Sequence, residues 1–283
     1  MIIQDVINHL EDLAPLAYAE DFDNVGLLVG DRNKSLKGVL ITLDTLESVV
    51  DEAIENNCNL VVSFHPIIFK GLKKLTGKTY VERVVMKAIK HDIAIYSIHT
   101  ALDNAFQGVN DMICNKLGLI NKNILIPQTE TIKKLTTYAP KKEAKTLRHK
   151  LFEAGAGHIG NYENCSFNTE GVGTYMGNQH SNPTVGQKGV THEEEETLIS
   201  VIFPKHLESK ILDTLFKEHS YEEVAYDVIS LDNKNRHIGM GMIGQLEQAM
   251  KETTFLEYVK QHMQTECIRH SAFTNKKIAK VAV

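Results

Sequence analysis

Apolar positions along the first 130 residues fall at two alternating spacings. The opening MIIQDVINHLEDLAPLA sets its isoleucines, valine and leucines on one face of a helix. After the segment AEDFDNVGLLVGDRNK come three short β-branched runs that are apolar on both faces: GVLITLD at 38–44, NLVVSFH at 59–65 and IAIYSIH at 93–99. Between them, TLESVVDEAIENNC and TYVERVVMKAIKHD carry apolar residues at helical spacing. A β-α-β-α-β order predicts right-handed crossovers and a parallel sheet with helices on its faces. Ligands of such sheets bind beyond the carboxyl ends of the strands.

From about Ile132 the rhythm changes. IKKLTTYAPK reads as a strand, EAKTLRHKLFEAGA as a helix, NYENCSFNTEG and VGTYMG as two strands around a glycine turn, and ETLISVIFP as a strand. HLESKILDTLFKEH and EEVAYDVISL follow as helix and strand. Helices flanking a group of strands within about a hundred residues suggest a split βαβ or ferredoxin-like α+β unit. We set it at 131–233, inserted between an α/β part at 1–130 and the start of a second α/β part at 234–283. There, GMGMIGQLEQAM turns into the helix TTFLEYVKQHM, a short strand is expected near CIRHSAF, and KKIAKVAV has the composition of a sheet strand. Ending on such a strand predicts either a terminal edge strand or a natural protein that continues past Val283.

Composition narrows the function classes. With 42% hydrophobic and 24% charged residues, and no apolar run of bilayer length, the chain reads as globular and without a membrane partner. Acidic residues stand where a signal peptide would be basic, so a cytoplasmic location is expected. A net charge of -5 with no long basic run argues against nucleic acid as the main partner. Cys58, Cys114, Cys165 and Cys267 form no CxxC pair and are expected to be ordinary buried or half-buried thiols. The acidic block THEEEETL, 191–198, reads as a solvated turn before a strand.

Two of the three parallel strands end on histidine, His65 and His99, and the third on Asp44. Neighbouring strands lie ~4.8 Å apart, so side chains at their ends can converge. If the segment TALDNAFQGVNDMICNKL turns helical, Asp103 shares a face with His99. Imidazole and carboxylate at a strand-end crevice suit zinc, iron or manganese. Capping or core-edge histidines are the competing explanation, and Asp44, three residues before Glu47, is expected to be a helix N-cap. Pro66 favours an extended backbone at His65, holding it as the last strand residue. Asp23 and Asn24 either line the crevice or build a loop through side-chain to backbone hydrogen bonds.

No GxSxG elbow or phosphate-binding loop is present, and GMGMIG does not follow the first strand, so no catalytic residue is assigned. In the insert, Tyr221, Glu222 and Glu223 suggest an acidic site near a helix-to-strand junction, and the simpler reading, which we prefer, is a turn whose tyrosine packs and whose acids are solvated.

DFDNVGLLVGD, VVSFHPIIFKGLK and IHTALDNAFQGVND resemble three successive motifs of the dinuclear metal-centre hexameric proteins, the NGG-interacting factor three family. Its bacterial members carry the name GTP cyclohydrolase 1 type 2 homolog. EGVGTYMGNQHSNPTVGQKG and HSYEEVAYDV resemble the PII-like ferredoxin-fold insertion of its longer members. The resemblance implies a three-layer α/β/α domain with that insertion, a toroidal homohexamer, and up to two divalent metals activating water against a nucleotide, with GTP the suggested substrate. It implies that His65 and Asp103 are metal ligands, with His99 a ligand or its close neighbour. Phe64 stands where the motif usually reads the first histidine of HHP, and would line the crevice. Relatives continue past KKIAKVAV with a glycine-rich loop and a later His and Glu, so one loosely held ion, or none, is expected for this chain. The alternative function is a non-enzymatic metal-binding hexamer whose insert senses a ligand.

Overall fold

Ile3 and Ile7, one turn apart, are the buried residues of the first helix, Ile3–Leu13 (α1). Their partners are the strands that follow in the computed structural model, which describes residues 1–283. Gly26–Val29 (β1), Val39–Thr42 (β2), Leu60–Ser63 (β3) and Ala94–Ser97 (β4) form one sheet in the order β1-β4-β3-β2. β2, β3 and β4 are parallel, joined by the helices Glu47–Glu55 (α2) and Tyr80–Lys90 (α3). β1, which the apolar pattern did not single out, runs antiparallel to β4. It ends at Gly30, whose φ is +99° and where a Cβ would lie 2.7 Å from the Cα of Ala94. Only glycine fits both conditions.

β3 and β4 are buried at all four positions, which explains their unbroken apolar runs. Leu60, Val62 and Tyr96 face Ile3, Ile7 and Ala101 on one side, while Val61 and Ile95 face Val50, Ala53, Val84 and Ala88 of α2 and α3 on the other. Helices therefore cover both faces of the sheet.

The parallel strands stop earlier than their apolar runs suggest. β2, β3 and β4 end at Thr42, Ser63 and Ser97, so Asp44, His65 and His99 each lie two positions past a strand end. Pro66 carries no N–H to continue a ladder, and Ile98 already has helical backbone angles, φ -105° and ψ -31°. Asp44 caps no helix, because the N-cap of α2 is Leu46. The chain then forms the helices His99–Asn104 (α4) and Val109–Lys116 (α5), separated at Gly108, and the strand Ile120–Pro127 (β5), which the apolar pattern did not single out.

Residues Gln128–Asn235 form a separate compact unit. Its elements run Ile132–Pro140 (β6), Ala144–Glu153 (α6), Phe167–Tyr175 (β7), His192–Pro204 (β8), Glu208–Glu218 (α7) and Tyr226–Leu231 (β9). The sheet order is β7-β8-β6-β9 with every neighbouring pair antiparallel. Leu147, Leu151, Ile211 and Leu215 of the two helices pack with Leu135, Ile199, Val201 and Phe203 of the sheet. Two expectations are corrected here. β7 is one strand, without a turn at Gly171, because Gly171 pairs directly with Glu196 in the ladder. The acidic block is strand, not turn: Glu193 to Glu196 belong to β8, and Glu196 is buried.

The remaining unit, Met1–Pro127 with Arg236–Val283, holds a second sheet. Gly239–Lys251 (β10) lies between β5 and Lys277–Ala282 (β11), antiparallel to both. KKIAKVAV thus supplies a strand paired with β10, and GMGMIGQLEQAM is a strand before the helix Glu252–Met263 (α8). No strand forms near CIRHSAF. All four cysteines are free, with Cys267 exposed rather than buried or half-buried. No helix is long and apolar enough to cross a membrane.

Candidate functional site

β3 and β4 carry their chains to the same edge of the first sheet, and the residues beyond them converge. His65, exposed, meets Asp44 from beyond β2: Nδ1 lies 2.8 Å from Oδ1. His99, as the first residue of α4, has φ +26°, a left-handed angle that is costly for a side chain of this kind, about 1–3 kcal/mol. The neighbours that hold it there are visible. Both carboxylate oxygens of Asp23 lie 2.9 Å from His99 Nδ1. The Thr100 hydroxyl and backbone N–H donate to Asp23 Oδ2, and the Asn24 backbone N–H donates to Oδ1 at 2.8 Å.

The side chain of Asp23 is 0% exposed. Burial by itself would push its carboxyl up. The hydrogen bonds from Thr100, His99 and the backbone of Asn24 and Thr100 outweigh that and hold it below the usual carboxylate range. Asn24 in turn donates from Nδ2 to the carbonyl of Ile68. Asp23 and Asn24 thus build the loop through side-chain to backbone hydrogen bonds, and Asp23 also engages His99.

A carboxylate can only accept, so Nδ1 donates in both imidazoles, and in the neutral ring the lone pair then sits on Nε2. Histidines that ligate metal through one ring nitrogen and donate the other to a carboxylate have this arrangement. The His65 and His99 rings lie 5.4 Å apart, centroid to centroid. Phe64 stands edge-on to both, at 5.1 Å and 5.4 Å. α4 brings Asp103 one turn beyond His99, near enough for charge to act: burial pushes its carboxyl up, His99 and His65 pull it down, and Asp23 pushes it up.

Two imidazoles with free Nε2 atoms and one carboxylate fit a divalent transition metal in donor chemistry. In arrangement they fall short of a finished site, since no group of three or more His, Cys, Asp or Glu side chains stands ready to hold an ion. The pairing of Asp44 with His65 escaped sequence reasoning. Its only signal was that Asp44 ends a parallel run beside the His65 run.

The whole of residues 1–283 matches the profile of the Duf34/NIF3 (NGG1p interacting factor 3) family. Over 281 residues the chain is 38% identical to a Bacillus subtilis protein named GTP cyclohydrolase 1 type 2 homolog, spanning 99% of this chain and 75% of that relative. A solved Bacillus cereus protein related to NIF3 superposes with a TM-score of 0.83 at 39% identity, covering 100% of this chain and 76% of its own. A Staphylococcus aureus structure does so at 0.72 and 31%, covering 100% and 74%. Likeness in sequence and in fold runs through the histidine edge and the inserted unit alike, and this chain belongs to the Duf34/NIF3 family.

Proposed function

We propose that this chain binds one divalent metal through His65, His99 and Asp103 and acts as a metal-dependent hydrolase on a nucleotide. The observation that carries this is the bracing of both imidazoles at Nδ1, by Asp44 and by Asp23, which reserves both Nε2 atoms as ligands. Zinc, iron and manganese all accept such a donor set. When bound, such an ion lowers the pKa of a coordinated water and polarises the bond under attack. The protein's own residues do the positioning. Asp23 and Asp44 hold each ring in one tautomer, Asn24 ties the first loop to Ile68, and Phe64 keeps one side of the pair apolar.

The name of the curated relatives refers to GTP, which makes a guanine nucleotide the first substrate to try. The β-α-β-β-α-β order of residues 128–235 supports a ferredoxin-like, PII-like insert. By family resemblance we take the working form to be a cytoplasmic homohexamer.

The test is to load the protein separately with zinc, iron(II) and manganese(II), then measure bound metal and formate released from GTP and from a panel of nucleotides. Metal-dependent release, lost in His65→Ala and Asp103→Ala, is the expected result. Metal-loaded protein that turns over neither GTP nor any nucleotide overturns the hydrolase, and leaves a metal-binding assembly without catalysis.

A further inference from the structure

We infer that the inserted unit carries a second binding site, independent of the metal edge, for a small organic cation such as a quaternary ammonium or an alkyl amine. The site is a cavity of about 520 Å³ that lies wholly within residues 138–225. That volume suits a small organic molecule. Tyr138, Tyr175 and Tyr221 contribute aromatic walls, and Glu196, Glu222 and Glu223 contribute acid; no lysine, arginine or histidine lines it.

The site is built rather than incidental. Glu196 is only 9% exposed and belongs to no ion pair within the chain; its Oε1 accepts from the Tyr221 hydroxyl at 2.8 Å. The neutral Tyr221 hydroxyl is its hydrogen-bond partner in the chain, so its negative charge is available to a cation that enters the cavity. Its other oxygen lies over Gly173, where a Cβ would come within 2.0 Å, so glycine in β7 is what lets the acid lie against the sheet. The covering loop is stapled down by three hydrogen bonds. Tyr175 Oη donates to the Val185 carbonyl at 2.8 Å, the Thr184 hydroxyl to the Ser220 carbonyl at 2.8 Å, and the Asn182 N–H to Glu222 Oε1.

Two features select the ligand. Tyr175 and Tyr221 stand edge to face with centroids 6.2 Å apart, and their hydroxyls are already spent on Val185 and Glu196. Burial pushes both phenols up, with Glu196 reinforcing the shift, so the rings stay neutral and offer π faces. Neutral aromatic faces beside carboxylate recognise alkylammonium groups through cation–π attraction. A bare metal ion is disfavoured because these acids form no group of three that could hold one. Anions are disfavoured by the three glutamates. Tyr221, Glu222 and Glu223, a turn with its tyrosine half-buried and its acids exposed as the sequence suggested, also form one wall of this cavity.

The test is isothermal titration calorimetry of the whole chain with choline, agmatine and spermidine. At least one is expected to give saturable binding. If choline binds, its uncharged isostere, with carbon in place of the quaternary nitrogen, should bind at least about tenfold more weakly. Glu196→Gln should weaken binding by about tenfold or more, while Glu153→Gln, on the exposed face of α6, should leave it unchanged. Should Glu196→Gln fold poorly, the exposed Glu223→Gln carries the charge test. Absence of saturable heat with all three cations overturns the site, as does an isostere that binds as tightly as choline or affinity that survives both glutamate substitutions.

Discussion

Both carboxylate oxygens of Asp23 lie 2.9 Å from Nδ1 of His99, across 76 residues of sequence. They anchor an imidazole whose backbone is held at φ +26°. Removing that negative charge while keeping the shape should loosen the orientation and basicity of the ligand. Asp23→Asn is expected to weaken zinc binding by about 10–100-fold, the range seen for such supporting residues. Competition against a chelator of known affinity checks it. Unchanged affinity would mean that His99 does not ligate.

Phe64 occupies the position beside both rings where a third imidazole could stand. Phe64→His should tighten zinc binding by at least about tenfold by adding a donor. It should also lower the melting temperature of the metal-free protein, because Phe64 packs against the core that contains Leu60, Val62 and Tyr96. Melting curves with and without zinc separate the two effects, since the metal must then raise the variant's midpoint more than the wild type's.

Glu82 gives a pH-dependent stability that is independent of the metal edge. Its carboxylate accepts from the Thr76 backbone and hydroxyl, the Lys78 backbone and the Thr79 hydroxyl, and its own N–H donates to Thr79 at the start of α3. These bonds lower its pKa from 4.5 to about 2. A carboxyl whose folded pKa is depressed stabilises the fold above its unfolded pKa and loses that contribution as pH falls through the folded one. Stability should therefore drop between about pH 4.5 and pH 2, and Glu82→Gln should be less stable at neutral pH with a flatter profile across that window. Urea denaturation at a series of pH values measures the difference; parallel profiles would refute the assignment.

Much of this was legible in the sequence, for a local reason. β3 and β4 announce themselves because strands buried on both faces must be apolar throughout, and α1, α2 and α3 because one buried face repeats every helical turn. The convergence of His65 and His99 followed from parallel strands delivering their ends to one edge. The change of rhythm near Ile132 marked the insert, and the structure divides the chain at Gln128 and Asn235.

Other features depend on partners far away in the chain, and local pattern does not record them. Gly171 is a turn signal by itself, yet it continues β7 because Glu196 pairs opposite it. Asp44 has the chemistry of an N-cap, but His65, 21 residues on, engages its carboxylate instead. β5 opens on the polar run Asn121, Lys122 and Asn123 after Ile120, and pairing with β10, more than a hundred residues later, makes it strand. The four glutamates of β8 look solvated as letters, and only the fold buries one of them beneath Tyr221. Periodicity determined the helices α1, α2 and α3 and the buried strands β3 and β4, and with them the edge that His65 and His99 share. Tertiary structure alone decided which acid each histidine meets and which glutamate of β8 is buried, because hydrogen-bond partners and burial are set by what the rest of the chain brings alongside.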